Sequence, residues 1–331
     1  MRRSYDVKTS YLKIGAIVLL CVVLIFCGIV LLNKWEENRG RFPEQDFGDP
    51  TIEYNGIKYA LKENVETFLV LGLDKLEGEG SASDSYNNDK QSDFLMLLVF
   101  DNASKHVSAI HINRDTMVPV NVLGVAGNKI DTVTKQIALS HTYGNGRDVS
   151  CRNVAESVSS LLMGMKVNHY ISSTMDSVSI LNDLVGGVEV EVLDDFGGID
   201  DTLVKGERVT LMGDQALTYI RARKNVGDET NVSRMKRQQQ YIRSLRDSLD
   251  RCAANDKEFV AGAIVKMAEY IVSDRSATQL QTLAEKFAEY EFDGIMEIDG
   301  ESSVKNGFVE FYASEDAIKE LIIELFYSPA K

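Results

Sequence analysis

Asp74 ends one apolar, β-prone run, ETFLVLGLD, and Asp93 begins the next, DFLMLLVF, with a long polar segment, 75–92, between them. If the two runs are neighbouring strands, both carboxylates reach one sheet edge, where they repel unless a cation sits between them. Carboxylate oxygens with few other protein ligands are how Mg²⁺ is held beside substrate phosphates. The same acids also fit as turn caps, and two acids alone do not decide between the readings. Arg114 follows the run HVSAIHIN and precedes Asp115 and Thr116, a strand-end position suited to an anion or to a structural Arg-Asp pair. Arg221 and Arg223 close the segment GDQALTYIRAR. A spacing of two turns both guanidinium groups to one side only where the chain is extended, so the helix is expected to end near Ile220. In RMKRQQQYI, Arg234, Arg237, Gln238 and Tyr241 recur at i, i+3, i+4 and i+7, one face of a helix. Arginines brought together would repel by about 4 kcal/mol per pair at about 4 Å and an effective dielectric of about 20, so an anion must compensate. A pyrophosphate matches the bidentate guanidinium fork; ion pairs with surface acids are the competing reading.

The elements that must position these residues alternate between strand and helix patterns. IEYNGIKYAL carries Asn-Gly between two short β-prone stretches, a hairpin signal, and the turn DNASK joins DFLMLLVF to HVSAIHI. Helical periodicity is expected over 133–141 and 151–163, the second with Val154, Val158, Leu161 and Leu162 on one face. MDSVSILNDLVGG reads as a helix stopped by Gly186 and Gly187 before the alternating strand VEVEVL. From Met235 onward the chain reads as mostly helical, with a late strand at GFVEFYAS and a closing amphipathic helix over 315–326. This is the pattern of an α/β domain around a central, largely buried mixed sheet flanked by helices. The stripes Val154/Val158/Leu161 and Ile180/Leu184 fit core or the lining of a lipid pocket.

Residues 14–32 contain nineteen residues without a charge, about 28 Å of helix, the thickness of a hydrocarbon core. No small-residue cleavage site follows, so one retained transmembrane helix is expected. Arg2, Arg3, Lys8 and Lys13 precede it, which favours a cytoplasmic N-terminus and an extracytoplasmic domain. The organisation expected is a tail at 1–13, the span at 14–32, a linker at 33–50, a catalytic domain at 51–250 and a mostly helical C-terminal extension at 251–331 packed on it. With 50 acidic against 36 basic residues and a net charge of -14, a general nucleic-acid binder is disfavoured. Four cysteines with no CxxC and no Cys/His cluster indicate neither a disulfide framework nor a zinc site.

The ordered motifs FLVLGLD, QSDFLMLLVF, INRDT, LVGGVEVEV, LMGDQALTYIRAR and RMKRQQQ closely resemble the LytR-CpsA-Psr family of bacterial cell-wall enzymes, over about 68–249. The resemblance implies an α/β fold with an apolar pocket for a polyprenyl chain. It further implies transfer of a phosphoglycan, such as a teichoic acid or capsule polymer, from undecaprenyl pyrophosphate to a peptidoglycan sugar hydroxyl, with Mg²⁺ (or Mn²⁺). Carried over by motif, Asp74 and Asp93 are the metal acids, Arg114 is the arginine of RDT, and Arg221, Arg223, Arg234, Arg237 and Gln238 bind the pyrophosphate. Asp74 or Asp115 serves as base for the acceptor. Lys129 and HTYGNG resemble the family's lysine and Tyr-Gly segment. Two positions depart from the pattern: Leu76 stands where the family often has Arg, and Asn231 where it often has an acid. A lipid-pyrophosphate hydrolase, or a non-catalytic wall-binding or regulatory module, remains open on sequence alone.

Overall fold

The computed structural model describes residues 50–75, 88–175, 177–256 and 258–330. The chain divides into two units, Met1–Asp46 and Phe47–Lys331, and every described residue belongs to the second. The expected tail, membrane span and linker up to residue 49, with most of the 75–92 segment and Leu76, lie outside the described residues. Among the described residues no helix is long and apolar enough to cross a membrane.

Strands β1 (Thr51–Tyr54) and β2 (Ile57–Leu61) form the Asn-Gly hairpin, with Asn55 and Gly56 at φ 51° and 76° as a two-residue primed turn requires. Next come β3 (Val65–Lys75), β4 (Lys90–Asp101) and β5 (His106–His111), an antiparallel meander. Its second turn is closed by the Asp101 carboxylate, which accepts the backbone N–H groups of Ala103 and Ser104 at 3.0 and 3.1 Å. Strands β6 (Met117–Leu123) and β7 (Lys129–Gln136) then pair as a hairpin. The helix expected over 133–141 is therefore a correction: Thr132, Val133 and Thr134 are β-branched and pair with Asn121, Val120 and Pro119, leaving only a 3-10 turn at Ile137–Thr142.

Helix α1 (Asp148–Leu161) buries Val154, Val158 and Leu161 in the core. It leads to β8 (His169–Thr174) and α2 (Ser177–Leu184), after which Gly186 and Gly187 stop the chain at φ 79° and 94°. The pair β9 (Val188–Glu191) and β10 (Arg208–Leu211) packs with α3 (Asp214–Arg221) and α4 (Asn231–Asn255) in a core that includes Val188, Val190, Phe196, Leu211, Tyr219 and Tyr241. The remainder is α5 (Phe259–Met267), β11 (Ile271–Ser273), α6 (Ala277–Phe287), β12 (Glu291–Glu297), β13 (Gly300–Lys305), β14 (Phe308–Ala313), α7 (Glu315–Phe326) and β15 (Tyr327–Pro329).

The six-stranded sheet runs β11-β8-β3-β4-β5-β12. It is mixed: β3 lies parallel to β8 and β5 to β12, while the other neighbours are antiparallel. Both edge strands come from beyond residue 250, and β15 pairs with β2. The C-terminal region is thus no helical extension packed on a finished domain; it completes the domain's sheets. Its β11 is three residues long and β12 is interrupted by Gly294, so neither carries the length of alternation that marks a strand in sequence.

Candidate functional site

The site begins with an irregularity in the sheet. Pairing between β3 and β4 runs Gly72↔Phe94 and then Leu73↔Ser92, so Asp93 has no residue opposite it. This is a β-bulge, which bends the strand and re-aims the side chain at the extra position. Asp74 stands opposite Gln91, and Asp74, Gln91 and Asp93 all line one cavity. Gly72 makes the close packing possible: a Cβ there would lie 2.8 Å from Met175 Sδ and 2.9 Å from Phe94 Cβ.

Arg114 sits just past β5 in a turn built by Asn113, whose side-chain oxygen accepts the Asp115 N–H at 3.0 Å and whose carbonyl accepts the Thr116 hydroxyl at 2.6 Å. Held there, Arg114 donates to Gln91 Oε1 at 2.6 Å and places Nη1 2.6 Å from Asp93 Oδ1. Helix α4 starts at Thr230, whose hydroxyl accepts the Ser233 N–H at 3.1 Å. Asn231, in its first turn, donates to Asn113 Oδ1 at 2.8 Å and accepts from Arg234 Nε and Nη2 at 3.1 and 2.6 Å. Arg234 Nη1 reaches Asp93 Oδ2 at 3.4 Å. An amide therefore orients Arg234 where an acid would have neutralised it. Arg221, in the last turn of α3, grips both oxygens of Asp74, with Nη2 at 2.9 Å from Oδ1. The helix then stops: Ala222 is extended at φ -58°, ψ 133°, so Arg223 follows on extended chain as its spacing demanded. Arg223 lines the cavity with neither a hydrogen bond nor an ion pair among the described residues.

Asp74, Asp93, Arg114, Asp115, Arg221, Arg223 and Arg234 thus line one cavity of about 1060 Å³. Arg237 and Gln238 do not, which corrects their assignment to the pyrophosphate. One turn deeper along α4, Arg237 is 1% exposed and is spent on α3: Nε donates to the Tyr219 carbonyl at 3.0 Å, Nη2 to that of Ala222, and Nη1 to Asp194 at 2.7 Å. Gln238 donates to the Ile220 carbonyl at 3.2 Å. The last carbonyls of a helix have no partner within it, so these side chains cap α3 and fix the stretch that carries Arg221 and Arg223.

Burial raises the Asp93 carboxyl above the ordinary range against the pull of Arg114 and Arg234, and the charge of Asp74 adds to the rise. Burial likewise raises Asp115, against Arg114, Arg234 and Arg223. Asp115 accepts from Gln136 at 3.2 Å through Oδ1, while its buried Oδ2 has no hydrogen-bond partner among the described residues. Arg234 is lowered to about 10 by burial and stays cationic at neutral pH. Among the described residues no group of three or more His, Cys, Asp or Glu is placed to hold a metal. Asp74 and Asp93, hard oxygen donors that sense each other's charge, fit the kind of Mg²⁺ site that takes its other ligands from phosphate and water.

Gln91, Lys135, Gln136, Lys224 and Lys305 also line the cavity and were not singled out in the sequence. Gln91 stands inside the quoted QSD motif; Lys135 was hidden by the helix expected there, and Lys305 lies in a region without a motif. Lys129, at the far end of β7 from Lys135, does not line the cavity.

Comparison with known proteins adds the following. The LytR_cpsA_psr family profile matches residues 43–326. The polyisoprenyl-teichoic acid–peptidoglycan teichoic acid transferase TagU of Halalkalibacterium halodurans is 25% identical over 240 residues, 72% of this chain and 71% of the relative. The structure of B. subtilis TagV shares the fold at a TM-score of 0.61 and 21% identity, covering 80% of this chain and 97% of that one. TagT bound to LIIa-WTA shares it at 0.56 and 19%, covering 80% and 90%.

Proposed function

This chain belongs to the LytR-CpsA-Psr family, and from that premise we propose that it moves a phosphoglycan from an undecaprenyl-pyrophosphate carrier onto a peptidoglycan sugar hydroxyl. The polymer class proposed is teichoic acid, the substrate in TagU's name. The observation that carries the reading is the convergence of Arg114, Arg221, Arg223 and Arg234 on one cavity with Asp74, Asp93 and Asp115. Four guanidinium groups facing three carboxylates suit a dianionic or trianionic ligand that displaces some of the internal ion pairs.

In the reaction proposed, the pyrophosphate lies among the four arginines. The acceptor oxygen attacks the glycan-side phosphorus, the bond to the bridging oxygen breaks, and the lipid phosphate leaves with the charge that the arginines stabilise. Asp115 takes the hydroxyl proton, because its raised carboxyl is a better base than that of an ordinary aspartate and one of its oxygens has no hydrogen-bond partner among the described residues. Asp74 and Asp93 would hold Mg²⁺ or Mn²⁺, which when bound supplies charge neutralisation at the phosphates. The chain is proposed to work outside the cytoplasm, anchored by residues 14–32.

The test gives the purified full chain a lipid-pyrophosphate glycan donor and peptidoglycan fragments, with and without Mg²⁺. Transfer should require the metal, and Asp93→Ala should abolish it; Arg221→Lys should restore part of what Arg221→Ala loses, since it keeps the charge but not the fork. Glycan released to water whether or not acceptor is present would make the chain a hydrolase. Donor bound equally by wild type and Asp93→Ala, with no turnover by either, would make it a binding module.

A further inference from the structure

The cavity has walls of two chemical kinds. The arginines come from the turn after β5, from α3 and the extended chain just past it, and from α4, whereas Lys305, Asn306, Gly307, Phe308, Val309 and Glu310 come from the β13–β14 hairpin. Asn306 and Gly307 make its tight turn, at φ 51° and 81°. Cross-strand register puts Lys305 opposite Phe308, and strand alternation puts Phe308, Glu310 and Tyr312 on the same face. On that face Lys305 Nζ lies 2.9 Å from Glu310 Oε2 and 2.7 Å from the Tyr312 hydroxyl, which donates to Glu310 at 2.6 Å. The charges of lysine and glutamate cancel locally. Phe308 is left 69% exposed at the edge of the cavity, an apolar ring beside that charged pair.

Building on the transferase reading, we propose that the tip of the β13–β14 hairpin is the acceptor subsite, where Phe308 stacks against a sugar ring of the glycan strand while Asn306, Glu310 and Lys305 bond its hydroxyls. The two substrates differ in charge, and so do the two walls. An anionic pyrophosphate calls for the wall of arginines, whose guanidinium groups it would take over from their carboxylate partners. A sugar ring, with C–H groups on its faces and hydroxyls around its edge, calls for an aromatic face bordered by donors and acceptors without net charge. The hairpin is also tied to the group proposed as base: the Phe311 N–H donates to the Asp115 carbonyl at 2.9 Å, and the Gln136 amide bonds both the Val309 carbonyl at 2.6 Å and Asp115 Oδ1 at 3.2 Å. A sugar seated on this element is therefore positioned by the same contacts that position Asp115.

Binding of peptidoglycan glycan-strand fragments to the full chain, measured without donor, tests the subsite apart from the reaction. Phe308→Ala should weaken fragment binding and raise acceptor KM by about tenfold while donor affinity and the melting midpoint stay at wild-type values; Phe308→Tyr should bind like wild type. Wild type that binds fragments but transfers nothing would sink the transferase reading and leave the subsite standing. Fragment binding and acceptor KM unchanged in Phe308→Ala would overturn the subsite, as would loss of donor affinity instead, which would place the ring against the donor's lipid or glycan. No fragment binding by wild type would also overturn it.

Discussion

Arg223 and Arg237 are alike in sequence and differ in their surroundings. Arg223 faces the cavity with no hydrogen bond or ion pair among the described residues, whereas Arg237 is surrounded by the Tyr219 and Ala222 carbonyls, Asp194 and the ring of Phe196, 5.2 Å from its centre. Arg223→Ala should therefore leave stability within about 0.5 kcal/mol and weaken donor binding by about tenfold or more. Arg237→Ala should cost about 3 kcal/mol or more, since it strands a mostly buried carboxylate and uncaps α3. Thermal melts and donor titrations separate the two; an Arg237→Ala protein as stable as wild type but blind to donor would reverse the assignment. Asp74, Asp93, Arg114, Arg221, Arg223 and Arg234 were legible because each stands at the end of a strand or helix, where side chains reach a common edge. Arg237 and Gln238 were misread because helical spacing identifies a shared face without telling which turn of it meets the cavity and which meets a neighbouring helix.

Among the elements, the bulge at Asp93 governs the geometry of the acids. Ala at Gly72 would press its Cβ against Phe94 Cβ, which is fixed by the backbone, and against Met175 Sδ, which can swing away. Gly72→Ala should cost about 1–3 kcal/mol by overpacking and loosen metal-dependent donor binding by shifting β4 at the bulge, with no cavity residue changed. A variant with wild-type melting and binding would show that the bulge does not need the close approach. Strands β3, β4 and β5, the first hairpin, and helices α1, α2, α3 and α7 could be read from periodicity and punctuation. The bulge could not, because it is a property of two strands in register and neither carries it alone. The β6–β7 hairpin was missed because β7, a mostly exposed strand rich in threonine and charge, has its few apolar residues at helical intervals.

For the whole molecule, orientation across the membrane is the property on which the proposed substrates depend. A reporter active only outside the cytoplasm, fused after Lys331, should be active in cells; activity of a cytoplasmic reporter alone would remove the domain from undecaprenyl-linked glycans and peptidoglycan together. The division of the domain was the least legible feature, since short edge strands such as Ile271–Ser273 owe their conformation to the sheet they join. Their placement also sets an order of events. A chain that emerges N-terminus first exposes the open sides of β8 and β5 until residues 271–297 arrive, with His106 waiting for Glu291 as its partner. Until then the nascent sheet has two adhesive margins, and the segments that must close to cover them, 175–270 and 112–290, are long, which makes closure slow. The interval between the appearance of β8 and that of β12 is therefore when this protein is most exposed to aggregation and most in need of a chaperone.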